Sequence, residues 1–151
     1  MNRHNHEGYL DPTAYGALMR IEHAARAAQW REILARVSGY RPLTYICAPN
    51  EEGANAINTQ KYCGYAAEQG RIPVAPHLLF TQFLNAEDEE QHALGLFMGR
   101  VLMTKCAEVW VFGDEITAVM AMEIEKAENR GMPVRYFTTG CEEVGASGGG
   151  M

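Results

Sequence analysis

The sequence has no long hydrophobic segment, and this bears on where the protein could reside. No apolar run approaches the roughly 18–20 residues that a membrane-spanning helix needs. The N-terminal sequence MNRHNHEGYLDP also lacks the apolar stretch of a secretory signal. We therefore expect a cytoplasmic protein with no membrane partner.

Basic residues are too few to suggest a nucleic-acid partner. The chain carries 13 Lys and Arg against 19 Asp and Glu, a formal net charge of −6, whereas binding to a phosphate backbone requires clustered cations. Two nucleotide-binding motifs are also missing. The first predicted strand is not followed by GxGxxG, and GxxxxGK[ST] is absent, so a dinucleotide site of the usual kind and a P-loop are not expected.

The four cysteines, Cys47, Cys63, Cys106 and Cys141, are scattered without a CxxC pair. In a cytosolic protein this spacing favours four reduced thiols, and we expect at least three of them to be buried. Neither Cys nor His residues have the spacing of metal ligands. No metal and no cofactor is expected.

Short apolar runs alternate with helical segments along most of the chain. Strands are predicted at 43–48 (LTYICA), 71–76 (RIPVAP), 108–113 (EVWVFG) and 134–137, with helices at about 54–69, 88–105 and 117–130 between them. This order predicts a three-layer α/β fold with a doubly wound, mainly parallel sheet of the Rossmann-like or flavodoxin-like type. Residues 42–140 form this predicted domain.

The remaining segments are predicted to be an arm and a tail. Residues 1–41 form an N-terminal helical arm, with helix from Asp11 to about Val37, where Asp11 caps the helix and Pro12 occupies its first position. Gly16 and the region of Trp30 leave open whether this is one helix or two. Residues 141–151, ending GASGGGM, are predicted to be a flexible tail.

Helical periodicity also predicts which faces pack on the sheet. In the helix at 54–69 the residues that fall on the predicted face are mostly small or apolar: Ala56, Ile57, Gln60, Cys63, Gly64 and Ala67. In the helix at 88–105 it is the stripe Leu94, Phe97, Met98 and Val101.

Glu123 is the most informative residue in the sequence. At 100° per residue it lies 60° from Met120 and 40° from Ala127, inside the apolar face of its helix, while Glu125 falls on the solvent side. A carboxylate on a buried face is costly and usually has a partner or a function. The alternative is a Glu at the edge of the stripe that extends to solvent or pairs with Lys126.

The other candidates lie in loops that follow the predicted strands, where ligands bind in open α/β sheets. Asn50 follows the first strand and His77 the second, while Gly113 and Asp114 follow the third. Asp114 could serve in acid–base chemistry or could cap the next helix. His77 could carry protons or only form hydrogen bonds within its loop.

Three runs of residues resemble a known family. They are TYICAPNEEG, IPVAPHLLF and EVWVFGDEITAVMAMEIEKA, and with them residues 43–137 resemble the nucleoside 2-deoxyribosyltransferase-like superfamily, nearest a bacterial and phage branch. The resemblance implies the same doubly wound fold. It also implies transfer of bases between deoxyribosides or hydrolytic release of the base. The superfamily builds its sites across subunits, so a homodimer or larger homo-oligomer is implied.

The resemblance assigns roles to individual residues. Glu123 matches the nucleophile of a pattern [D/S]-x-G-x-x-x-E-[IL], and Tyr45 matches the first-strand Tyr that orients it. Asp114 or His77 would protonate the leaving base. The implied substrate-binding residues are Asn50, His77, Gly113, Thr117 and Met120. The sequence departs from the pattern at Val119, where the family has Gly.

The chemistry implied is a retaining double displacement on a nucleoside or nucleotide, in which Glu123 forms a covalent glycosyl intermediate. Glu51 and Glu52 would repel a 5′-phosphate, which favours an uncharged nucleoside. Two alternatives stay open. One is a non-catalytic domain that binds a nucleotide or nucleoside and regulates. The other is a hydrolase of a different N-glycoside, such as a NAD-like molecule or a nucleoside monophosphate.

Overall fold

A computed structural model of the chain describes residues 12–49 and 54–145 and divides the chain into two compact units, residues 1–40 and 41–151. In the first unit, Pro12–Val37 forms a single 26-residue helix, α1. Gly16 and Trp30 lie within it without a break, so of the two possibilities left open by the sequence the structure shows one continuous helix. Asp11, the predicted cap, lies outside the described residues.

The second unit is a five-stranded sheet with helices between the strands. In chain order its elements are β1 (Leu43–Cys47), α2 (Ala54–Glu68), β2 (Ile72–Val74), α3 (Pro76–Phe80), α4 (Glu89–Met103), β3 (Glu108–Phe112), α5 (Ala118–Asn129), β4 (Val134–Phe137) and β5 (Glu143–Val144). The strand order is β2-β1-β3-β4-β5, and β5 pairs antiparallel with β4, whereas the other neighbouring strands pair in parallel. The predicted Rossmann-like α/β fold is confirmed.

The two faces of the sheet carry separate cores, because successive side chains of a strand point to opposite faces. On one face, Ile46, Trp110 and Phe112 pack with Tyr62 and Ala66 of α2. On the other face, Tyr45, Cys47, Val109 and Val111 pack with Met103 of α4 and with Met120 and Ala127 of α5. Helix α2 therefore covers one face, and α4 and α5 cover the other.

The predicted packing face of α2 is wrong except at Cys63, which is partly buried and packs against this core. The buried residues are Thr59, Tyr62 and Ala66, whereas Ile57 is exposed. Tyr62 stacks on Phe112 with 4.4 Å between the ring centroids. A large aromatic ring removes more apolar area from water than the small residues on the predicted face, so it decides which side of the helix turns inward.

The predicted packing stripe of α4 is also wrong. Gly95, Gly99 and Met103 are buried against the domain, while Leu94, Phe97 and Val101 are exposed. The physical reason is the space taken by Tyr45, whose side chain rises from β1 beneath the helix. A Cβ at position 99 would lie 3.7 Å from the Tyr45 hydroxyl, so the glycine face is the one that fits closely.

Three smaller differences remain. Two concern short segments of secondary structure, and the third concerns the burial of the thiols. Pro76, predicted to end a strand, begins the short helix α3, in a segment for which no helix was predicted. The strand β5 forms within the segment expected to be a flexible tail. Only Cys47 and Cys106 are buried, and Cys63 and Cys141 are partly exposed, so the expectation of three buried thiols is wrong.

No helix in the described part of the chain is long and apolar enough to cross a membrane.

Candidate functional site

The candidate site lies at the carboxyl ends of β1 and β3. These two strands are hydrogen-bonded neighbours, and Tyr45 is opposite Val109 in their register. The chain leaves β1 through α2 on one face and leaves β3 through α5 on the other. Strands whose connections diverge in this way leave a crevice between them, which is where open α/β sheets bind ligands.

A cluster of polar side chains surrounds the carboxylate of Glu123 inside this end of the domain. Glu123 is only 7 % exposed. The Tyr45 hydroxyl donates a short hydrogen bond to Oε2, and the Cys47 thiol donates to Oε1 over 3.4 Å. The Nε2 atom of His77 lies 3.3 Å from Oε2. The predicted burial of Glu123 is confirmed.

The alternative reading of Glu123, a side chain that extends to solvent or pairs with Lys126, does not fit the structure. Lys126 is exposed, and within the described residues no ion pair links it to Glu123. The carboxylate instead points to the sheet, because Glu123 lies on the same face of α5 as Met120 and Ala127, which are buried.

Helix α5 carries Glu123, and three further elements bring the cluster together. Tyr45 and Cys47 are two residues apart on β1 and so point to the same face of the sheet. His77 is the second residue of α3, which begins at Pro76, a residue suited to the start of a helix. Gly99 of α4 leaves room for both neighbours, since a Cβ there would lie 3.7 Å from the Tyr45 hydroxyl and 4.0 Å from His77 Nε2.

Burial keeps the two donors from β1 protonated. The pKa of Tyr45 is raised far above its ordinary value, first by burial and then by the charge and hydrogen bond of Glu123. The pKa of the Cys47 thiol is raised for the same reasons. Both groups therefore remain hydrogen-bond donors to Glu123 at neutral pH, and the carboxylate is held from two sides.

These raised pKa values predict a loss of stability at alkaline pH. The ordinary pKa values are 9.0 for Cys47 and 10.0 for Tyr45, and the unfolded chain releases both protons above them while the folded chain keeps them. The stabilisation is complete below pH 9 and falls as pH rises, by up to about 1.4 kcal/mol per pH unit for each group. Urea unfolding midpoints between pH 7 and pH 11 measure the slope.

Tyr45→Phe should make the decline above pH 10 shallower, since it removes one of these groups. Tyr40→Phe is the matched control, because Tyr40 is 89 % exposed. Parallel slopes for wild type and Tyr45→Phe would contradict the prediction.

A cavity of about 260 Å³ lies beside the cluster, slightly smaller than the roughly 300–1,000 Å³ typical of small-molecule sites. Its lining combines apolar and polar side chains. The apolar ones include Phe80, Leu84, Leu96 and Val119, and the polar ones are His77, Thr81, Gln91, His92 and Thr117. His77 belongs to both the cavity wall and the Glu123 cluster. It therefore connects the buried carboxylate to the space where a small molecule could bind.

The predicted substrate-binding residues are placed differently from one another. Thr117 lines the cavity, but its hydroxyl accepts the backbone N–H of Met120 at 3.2 Å and caps α5. The Met120 side chain is buried in the core. Gly113 follows β3 with a φ of +102°, a conformation that favours glycine. Asn50 lies outside the described residues.

Asp114 is placed apart from Glu123. It is exposed and lines a separate polar cleft of about 110 Å³ that also includes Tyr62 and Thr139. Tyr62 belongs to α2, on the other face of the sheet from Glu123. The alternative role of Asp114 as a helix cap is not observed either, because Thr117 caps α5.

Sequence reasoning missed two residues of the cluster, Cys47 and Gly99. Both left a signal. Cys47 follows Tyr45 by two residues on one strand, which places the two on the same face. Gly95 and Gly99 are four residues apart in a helix, a spacing that allows close approach on one side. Among the described residues, no group of three or more His, Cys, Asp or Glu side chains could hold a metal ion.

Comparisons with known proteins give one match. No curated protein and no solved structure matches the chain significantly. One family, described as "Domain of unknown function (DUF7768)", matches residues 42–137, which run from just before β1 to the end of β4 and contain the Glu123 cluster and its cavity. The chain therefore belongs to the DUF7768 family.

Proposed function

We propose that the protein cleaves the N-glycosidic bond of a nucleoside-like substrate and passes the sugar to water or to a second base, with Glu123 as the nucleophile. The observation that carries the proposal is the buried Glu123 carboxylate, held by Tyr45 and Cys47 and joined through His77 to a cavity. The resemblance of residues 43–137 to the nucleoside 2-deoxyribosyltransferase-like superfamily supports the same residue.

The proposed reaction has two displacements. In the first, an Oε atom of Glu123 bonds to the anomeric carbon as its bond to the base nitrogen breaks, and the base leaves with a proton. In the second, water or another base attacks the same carbon, gives up a proton to the group that protonated the leaving base, and frees the carboxylate. Tyr45 and Cys47 keep the side chain in one orientation between the two steps, which lowers the entropic cost of reaching the transition state.

His77 is the group best placed to move the proton. Its side chain lines the cavity and its Nε2 atom lies 3.3 Å from Glu123 Oε2. An imidazole ring can both donate and accept a proton, which suits this role. Asp114 is a weaker candidate for this role because it lines the separate cleft.

An uncharged nucleoside is the proposed substrate class. Among the described residues, the side chains that line the cavity include neither Lys nor Arg, so this part of the chain supplies none of the permanent cations that commonly bind a 5′-phosphate. Its apolar wall suits the face of a base. Val119 at the first turn of α5 narrows the cavity where the superfamily has Gly, which favours a small base.

The direct test is to incubate the protein with each of the four deoxynucleosides, alone and with a different free base, and to follow the products by chromatography. Release of base, or formation of a new nucleoside, supports the proposal. In the same samples, mass spectrometry of the denatured protein should detect the added sugar. Absence of turnover on all four substrates would count against this substrate class, and release of nicotinamide from NAD-like molecules would redirect it to another N-glycoside.

A non-catalytic binding domain is the second candidate, and two observations favour it. Both oxygens of Glu123 already have partners, and the carboxylate itself is not part of the cavity lining. Under this reading the cluster only stabilises the wall of a nucleoside-binding cavity. A nucleoside would then raise the melting temperature without ever being consumed.

A further inference from the structure

Helix α4 turns an apolar stripe away from the domain. Leu94, Phe97 and Val101 are 45 %, 62 % and 43 % exposed. They lie on the side of the helix opposite Gly95, Gly99 and Met103, which are buried. Apolar residues at this spacing normally form a packing face, and a contiguous exposed stripe of them marks an interaction site.

Charged residues stand at the two ends of this stripe. Glu90 precedes it by four residues, and Lys105 follows it by four, just beyond the end of α4. Both side chains are exposed. Within residues 12–49 and 54–145, neither takes part in an ion pair. We call the surface formed by Glu90, Leu94, Phe97, Val101 and Lys105 the outer face of α4.

We propose that the outer face of α4 binds the same face of a second copy of this chain, with the two helices antiparallel about a two-fold axis near Phe97. A two-fold interface must be self-complementary, so that each residue pair occurs twice. About this axis Leu94 of one copy faces Val101 of the other. Glu90 of one copy faces Lys105 of the other, which gives two ion pairs.

The charges select this partner and this direction. A parallel pairing would place Glu90 on Glu90 and Lys105 on Lys105, and like charges that face each other oppose association. A purely apolar partner would satisfy the stripe but neither charge, and a surface of one sign would match only one end. The antiparallel second copy satisfies both ends and the stripe between them.

This pairing would also support the cavity. Gln91, His92 and Leu96 of α4 form part of the cavity lining, and the outer face belongs to the same helix. A second copy that holds α4 in place would therefore hold one wall of the cavity. The proposal itself does not rest on the proposed reaction, because it follows from the exposure and the charges of α4 alone.

The first test is the molar mass of the full chain, measured by sedimentation over a range of protein concentrations. Wild type should be a dimer that dissociates on dilution, and Phe97→Glu should be monomeric at concentrations where wild type is dimeric. Ile57→Glu is the control, because Ile57 is 66 % exposed on α2 and lies outside the proposed interface. A monomeric wild type, or a Phe97→Glu variant that stays dimeric, overturns the proposal.

The second test addresses the register. Glu90→Lys and Lys105→Glu should each weaken dimerisation at least about 5-fold, since each replaces two attractive pairs with two repulsive ones. The double variant Glu90→Lys/Lys105→Glu should return to near the wild-type dissociation constant. A double variant as weak as either single variant rules out the antiparallel register. If another part of the same chain covers this face, wild type and every variant will be monomeric. That result also overturns the proposal.

Discussion

Glu123→Gln is expected to lower the rate of base release by at least about 10³-fold, because removal of a nucleophile eliminates the covalent route altogether. Glutamine has nearly the shape of glutamate, but its amide is a far weaker nucleophile towards an anomeric carbon. The sugar adduct detected on wild type should be absent from this variant. Initial rates with the best deoxynucleoside, compared with wild type at equal concentration, measure the effect.

Glu125→Gln is the matched control for this prediction. Glu125 lies two residues away on the same helix and is exposed, so its loss of charge should leave the rate unchanged. Circular dichroism and the melting temperature show whether Glu123→Gln still folds. A folded Glu123→Gln protein with a tenth or more of the wild-type rate would remove Glu123 from the role of nucleophile.

The second large effect is expected at Gly99, where a larger side chain should destabilise the fold by about 1–3 kcal/mol. A Cβ there would have Tyr45 Oη at 3.7 Å, Pro76 Cβ at 3.8 Å and His77 Nε2 at 4.0 Å. Leucine adds three further carbons in that direction. To fit them, α4 must move away from β1 or the Tyr45–Glu123 hydrogen bond must break. Chemical denaturation of Gly99→Leu measures the loss.

Gly99→Ala is the variant to compare with Gly99→Leu. Its single added carbon meets every neighbour at ordinary van der Waals distance, and alanine favours a helix over glycine by up to about 1 kcal/mol. Gly99→Ala should therefore be as stable as wild type or slightly more stable. If Gly99→Ala is as unstable as Gly99→Leu, the space above Tyr45 is tighter than the structure indicates. If Gly99→Leu loses no stability, α4 does not rest on Tyr45.

The arrangement around Glu123 explains why His77 matters to either proposed function. The carboxylate lies inside the domain with its oxygens occupied, while His77 reaches both the carboxylate and the cavity. In a catalytic protein, a substrate in the cavity would displace or share the contact between His77 and Glu123. In a binding domain, the same contact would fix the ring of His77 so that it can form a hydrogen bond with a ligand.

The sequence by itself determined the fold and the burial of Glu123. Side chains return to the same face every 2 residues in a strand and about every 3.6 residues in a helix, and these periods depend only on backbone geometry. Because strands and helices can be told apart in this way, β1, β3 and β4 were predicted to within a residue. The position of Glu123 between Met120 and Ala127 follows from the same geometry. Because one face of α5 must meet the sheet, a carboxylate inside that face is expected to be buried, and the structure confirms this for Glu123.

The tertiary structure alone decided which face of α2 and α4 turns inward and what surrounds Glu123. Periodicity identifies an apolar stripe but not the shape of the surface that it meets. On α4 the Tyr45 side chain fills the space above β1, so the glycines pack there and Leu94, Phe97 and Val101 remain outside. The partners Cys47 and His77, 76 and 46 residues from Glu123 in sequence, are neighbours only because β1, α3 and α5 meet at one end of the sheet.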